Sequence, residues 1–232
     1  MTVAMSDARA GEQKRVVIVG ATGMVGGYAL RYVLAHPSVG LVTSIGRRTV
    51  GISHPKPKEV THQDFANCSA LASALLEQHA AIFCLGAYTG VVSDEELRRI
   101  TVDYTIEFAR VLRDSSPEAV FSFLSGMGAD PTGRSRVPFA RYKGDAEKAL
   151  LAAGPRVYIF RPAYIYPVEP RKEPNFGYRL LRWIYPVFRL LFPSQVIGAD
   201  DLAKAMVDVA VRETKERQGL VFENRDIQAM VR

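Results

Sequence analysis

VVIVGATGMVGGYAL, residues 16–30, passes from four β-formers through a cluster of glycines into a helical pattern. Gly20, Gly23 and Gly26 fall at G-x-x-G-x-x-G spacing where a strand must hand over to a helix. That context gives a short glycine pattern its meaning. Gly20 allows a sharp exit from the strand, Gly23 leaves the backbone bare for a pyrophosphate, and Gly26 lets the helix sit close to the sheet. The turn through Thr22, Gly23, Met24 and Val25 then offers free N–H groups and a positive dipole end to phosphate. An ordinary glycine-rich turn without a ligand is the alternative, and the strand–turn–helix context disfavours it.

Outward from this turn the chain alternates. Strands are expected at Val16–Val19, Leu41–Ile45, Glu59–His62, Ala81–Leu85, Ala119–Leu124, Val157–Phe160 and, weakly, Leu220–Phe222. The first, fourth and fifth are nearly continuous apolar runs, as for strands covered on both faces. Helical spacing appears over Met24–Leu34, around Leu71, Leu75 and Leu76, and through Leu97, Ile100, Tyr104, Phe108 and Val111. The last of these follows a capping box at Ser93–Glu96. Two more helices are expected over Phe139–Ala152 and Asp200–Val211, the latter with Leu202, Met206 and Val209 inward. Strands alternating with helices imply an α/β fold with a doubly wound parallel sheet, the Rossmann arrangement. Residues 15–232 read as one domain, with 163–211 as a small C-terminal lobe, after a disordered lead over residues 1–14.

The 232 residues suffice for one sizeable core. A net charge of +6 from 30 basic and 24 acidic residues is diffuse, so no nucleic-acid partner is expected. Cys68 and Cys84 cannot form a disulfide framework, and the apolar run around Cys84 suits a buried free thiol in a reducing compartment. Four dispersed histidines lack metal-ligand spacing, so no metal site is expected. The small, polar start carries no apolar signal core, and a cytoplasmic location is expected.

An NAD site usually places an acid after the second strand. Here Gly46 is followed by Arg47 and Arg48. Two guanidiniums suit a 2′-phosphate, which favours NADP(H) over NAD(H); two solvated loop arginines are the alternative. Asp64 and Phe65 follow the third strand, where a carboxylate can meet the adenine amine. Leu85, Gly86 and Ala87 follow the fourth, where small residues let a ribose lie on the strand end.

GATGMVG at 20–26, IGRR at 45–48, FCLGAYTG at 83–90, FLSGMGAD at 123–130, Lys143-Gly144 and FRPAYIYP at 160–167 together resemble an atypical short-chain dehydrogenase/reductase. The resemblance is to the NAD(P)H-binding, epimerase-like branch, and within it to the Tat-interacting oxidoreductase-like group. It implies a cofactor across the strand C-termini, with Arg161, Pro162, Ala163 and Tyr164 passing near the nicotinamide. It also implies a catalytic Ser, Tyr and Lys, the Tyr four residues before the Lys, where the Lys lowers the phenol's pKa and holds the ribose. Lys143 fits the lysine position, but Phe139 stands where the tyrosine belongs. Ser125 fits the serine, although Gly126 and Met127 follow where the family often carries further hydroxyls; it then sits one or two residues early, or serves local backbone instead. Tyr142 points about 100° from the Phe139–Lys143 face, which leaves Tyr164 and Tyr166 as substitute phenols. A serine hydrolase is excluded, because no glycine stands two residues before Ser125.

Residues 178–193, YRLLRWIYPVFRLLFP, interleave aromatics with arginines and are too short and charged to span a bilayer. A helix packed on the lobe is the plainest role; a pocket cover, a homodimer contact and a membrane-surface helix are the others. Two functions stand from sequence: an NADP(H)-dependent oxidoreductase of a small carbonyl-type substrate, and a non-catalytic cofactor-binding protein.

Overall fold

Val16 and Ile18 project to one side of the first strand and Val17 and Val19 to the other, and each pair enters a different apolar cluster. The computed structural model describes residues 13–52, 54–87, 90–153, 156–169, 191–212 and 220–232. Its strands are β1 (Lys14–Val19), β2 (Val39–Gly46), β3 (Pro57–Thr61), β4 (Ala80–Phe83), β5 (Val120–Leu124), β6 (Val157–Arg161), β7 (Tyr164–Tyr166), β8 (Val196–Gly198) and β9 (Leu220–Glu223). Seven of them form one sheet in the order β3-β2-β1-β4-β5-β6-β9, every pair parallel, while β7 and β8 pair separately. The order reverses between β1 and β4, and open α/β sheets bind ligands in the crevice at that point.

Helices cover both faces. Against one lie α1 (Met24–Ala35) and, late in the chain, the helix Ala199–Val211. Against the other lie α3 (Tyr104–Ser115) and α4 (Pro138–Ala153), with Phe83, Phe108, Phe121 and Phe123 packed between α3 and the sheet, and α2 (Asp94–Arg98) packs on α4. The late helix is α5, and α6 (Asn224–Val231) closes the described chain. Burying each such Val, Ile or Phe contributes about 1.5–3 kcal/mol, which is why Val16–Val19 of β1 and all of β4 are apolar, and β5 is so but for Ser122.

Several expectations change. Lys14, expected in the lead, opens β1 and donates its N–H to the Ser38 carbonyl; residues 1–12 lie outside the described residues. The element at Leu71 and Leu75 is a 3-10 turn, Ser69–Leu75, and Leu76 is half exposed beyond it. The Asp200 helix, expected in the C-terminal lobe, packs on α1 and the sheet, with Leu202 and Met206 fully buried. Between α2 and α3 the chain widens into a π turn, Arg99–Asp103. β7, β8 and α6 had no period long enough to be read. The stretch 178–193 lies outside the described residues except for 191–193.

Candidate functional site

β1 and β4 end level, Val19 opposite both Ile45 and Phe83, and β2 runs one residue further to Gly46. Gly20 and Cys84 therefore leave the sheet side by side, next to Gly46 at the end of β2. Gly20 takes φ +87°, and a Cβ there would stand 2.7 Å from the Cys84 carbonyl oxygen. A Cβ on Gly26 would stand 2.2 Å from the Gly20 oxygen, so this glycine lets the helix close on its own loop. Gly23 caps α1 through its backbone; no side chain caps the helix and no acid lies in its first turn. The Gly27 N–H is the first to bond back into the helix, at 3.0 Å to the Gly23 oxygen. The N–H groups of Met24, Val25 and Gly26 are thus left for a ligand, which is the geometry that receives phosphate.

A cleft of about 510 Å³ runs from this turn across the sheet edge. Gly23, Met24, Val25 and Gly26 form one end. Cys84, Leu85, Gly86 and Ala87 form its floor, and Leu124, Ser125, Gly126 and Met127 continue it. Phe139 and Lys143 enter from α4, Thr101 from the π turn, and Pro162, Ala163 and Tyr164 from the segment after β6. Gly20, Thr22, Arg47, Arg48, Asp64 and Phe65 lie outside it. Arg47 and Arg48 are exposed at the end of β2, with no ion pair among the described residues. Asp64 is exposed and folds back on the Ala66 N–H, and Phe65 is buried in the core, so its ring is not available to a ligand. Cys84 is half-buried on the cleft floor, not buried as expected; Cys68 is the enclosed thiol. Burial pushes the Cys84 thiol up to about 12, which keeps it protonated. A larger hollow of about 830 Å³, at the opposite edge of the sheet beside Arg15, Gln78 and Arg156, contains none of these motifs.

Lys143 is 6% exposed. Its Nζ donates to the Leu124 carbonyl at 2.7 Å and lies 4.7 Å from the Phe123 ring centre. Burial lowers its pKa from 10.5 to about 8, opposed by the charge of Glu147 one turn along α4. Ser125 lines the cleft, but its hydroxyl donates to Glu147 Oε1 at 2.5 Å. Glu147 is 1% exposed and also accepts from Arg161, which reaches on to Glu223. These carboxylates hold the Arg161 pKa above its ordinary value, chiefly through the Glu147 hydrogen bond. Arg161 therefore turns away from the cleft that Pro162 and Ala163 line. Phe139 sits over Gly126: a Cβ on Gly126 would meet the ring's Cζ at 2.9 Å. Tyr142 points to the other side, donating to Asp94 at 2.6 Å. Sequence reasoning missed Glu147, although it shares a helix face with Phe139 and Lys143 at i+4 spacing.

Residues 16–153 match the model of the NAD dependent epimerase/dehydratase family. The chain belongs to that family. Among its relatives, the Aspergillus terreus protein fmp52-1, mitochondrial, is 30% identical over 205 residues, 85% of this chain and 87% of that one. Rat HTATIP2 is 27% identical over 157 residues, 66% of this chain and 64% of that one. The fold is that of DesIV, a dTDP-glucose 4,6-dehydratase from Streptomyces venezuelae solved with NAD bound, at TM-score 0.68, 17% identity, and coverage of 94% of this chain and 80% of that one. It is also that of Bordetella bronchiseptica WbmG in complex with NAD, at TM-score 0.67 and 16% identity, covering 93% of this chain and 73% of that one. The expected cytoplasmic location is overturned by the fungal relatives, which are named mitochondrial. No helix among the described residues is long and apolar enough to cross a membrane.

Proposed function

We propose that this family member binds a nicotinamide dinucleotide, NADP(H) before NAD(H), and transfers hydride to a small carbonyl-type acceptor. The observation that carries the reading is the uncapped, acid-free N-terminus of α1, which opens into the same cleft as the buried Lys143. Met24, Val25 and Gly26 would hold the diphosphate by their N–H groups. Arg47 and Arg48, exposed and without ion pairs among the described residues, would take a 2′-phosphate. Leu85, Gly86, Ala87, Pro162 and Ala163 would border the ribose and nicotinamide, with Lys143 on the ribose hydroxyls. The dinucleotide, when bound, supplies the hydride; the protein supplies position and exclusion of water.

The residues on α4 and β5 favour a slow enzyme. Phe139 has no proton to exchange, and Ser125 commits its own to Glu147. Loss of a general acid costs on the order of 100-fold in rate or more. That same pair of observations supports a second reading, a cofactor-occupied regulatory protein without turnover. Calorimetry with NADPH and NADH tests the binding shared by both. Tighter binding of NADPH is expected, and no binding of either dinucleotide at millimolar concentration would refute the proposal.

A further inference from the structure

Gly126 and Phe139 face each other on the cleft wall, and neither carries a hydroxyl. The side-chain direction at Gly126 runs into the Phe139 ring, 2.9 Å from Cζ and 3.1 Å from Cε1. Cζ is the atom that would carry a phenol oxygen. Gly126 and Phe139 bring neither a hydroxyl nor a phenol to this place, and a side chain at 126 would require the ring to shift. The neighbouring donors are engaged. The Ser125 proton faces Glu147, and Ser125 is 5% exposed. Lys143, the sole charged side chain lining the cleft among the described residues, donates to the Leu124 carbonyl. Thr101, from the π turn, is an alcohol and only 3% exposed. Tyr164, on β7, lines the same cleft and is itself engaged by a neighbour.

Hydride addition to a simple ketone or aldehyde leaves an alkoxide, a strong base that needs a proton in the transition state. Hydride addition to a quinone leaves a phenolate, whose parent acid has a pKa of roughly 10, as for tyrosine. Such an anion forms without an acid beside it. The walls suit a flat conjugated ring: Phe139 and the 53% exposed Met127 flank Gly126, and Ala87 and Pro162 are apolar. We infer that the acceptor is a quinone, reduced at the Gly126–Phe139 wall without a protein proton donor. The inference rests on the oxidoreductase reading above. The C–H bond of the reduced nicotinamide breaks, and its hydrogen and electron pair bond to a quinone oxygen. The dinucleotide is oxidised, the quinone becomes the hydroquinone monoanion, and solvent supplies one proton.

The test uses the full chain with menadione, and with cyclohexanone and benzaldehyde as acceptors of the other kind. Menadione is expected to consume NADPH above the uncatalysed rate and on the order of 100-fold faster than either simple carbonyl, the factor a general acid supplies. Calorimetry is expected to show menadione binding to protein saturated with oxidised dinucleotide, where no hydride can pass. In Gly126→Ser with Phe139→Tyr, the ratio of cyclohexanone to menadione turnover is expected to rise by on the order of 100-fold. Equal rates on the two classes, no menadione binding, or an unmoved ratio in the well-folded double variant would overturn the inference. NADPH binding without menadione turnover would overturn it too while leaving the dinucleotide site intact; absent dinucleotide binding would remove both.

Discussion

The two ends of the cleft are built by different means. At the β1–α1 end, position is set by backbone: a glycine at φ +87°, a glycine with no room for a methyl, and a helix start whose N–H groups no side chain claims. At the β5–α4 end, everything is side-chain chemistry, and there the hydroxyls are absent or engaged while a buried carboxylate and guanidinium lock together behind them. The contrast teaches that holding a dinucleotide and moving a proton are separable properties of one fold. The first needs shape and bare amides; the second needs particular atoms on two residues.

Substitutions can break either end, and they should do so differently. Glu147→Ala leaves the Arg161 guanidinium, 18% exposed, with only the peripheral Glu223. A loss of about 3–5 kcal/mol is expected, read as a lowered denaturation midpoint. Gly26→Val drives a side chain into the Gly20 carbonyl and is expected to cost about 3 kcal/mol. Calorimetry should also show dinucleotide binding abolished, and a variant that still binds would show that the loop is not the cradle. Lys143→Met acts in the opposite direction. The lysine's folded pKa of about 8 lies below its ordinary 10.5, so its burial costs stability fully below pH 8 and the cost fades between 8 and 10.5. The variant is expected to be more stable by up to about 3 kcal/mol near neutral pH. That advantage should be gone by pH 10.5 in thermal scans, and a pH-independent gain would contradict the cause given. The smallest effect is expected at the exposed arginines. Arg47→Ala with Arg48→Ala should weaken NADPH by on the order of 10–100-fold and leave NADH nearly unchanged. Equal losses for both nucleotides would remove the 2′-phosphate assignment.

Much of the scaffold was legible because each signal was local. Four β-formers, three glycines at fixed spacing and a helical period lie within fifteen residues, and buried parallel strands announce themselves as apolar runs. Phe139 was legible too, since a four-residue spacing puts it on the face of Lys143. What escaped depended on partners distant in sequence. Ser125 meets Glu147 across 22 residues, and Arg161 meets Glu223 across 62. β7 and β8 are three-residue strands, stabilised by each other and too short to carry a period. The Asp200 helix was found as a helix but assigned to the lobe, because amphipathicity tells that a face is buried and not what buries it.

The residues alone determined that strands and helices alternate, that one strand–helix turn is rich in glycine, and that Phe139 shares a helix face with Lys143. Only the folded chain decided where the serine's proton points and that Gly126 faces that ring. The physical reason is range: backbone conformation and periodicity follow from neighbours in sequence, whereas the direction of a hydrogen bond follows from whichever buried group the completed packing places within reach.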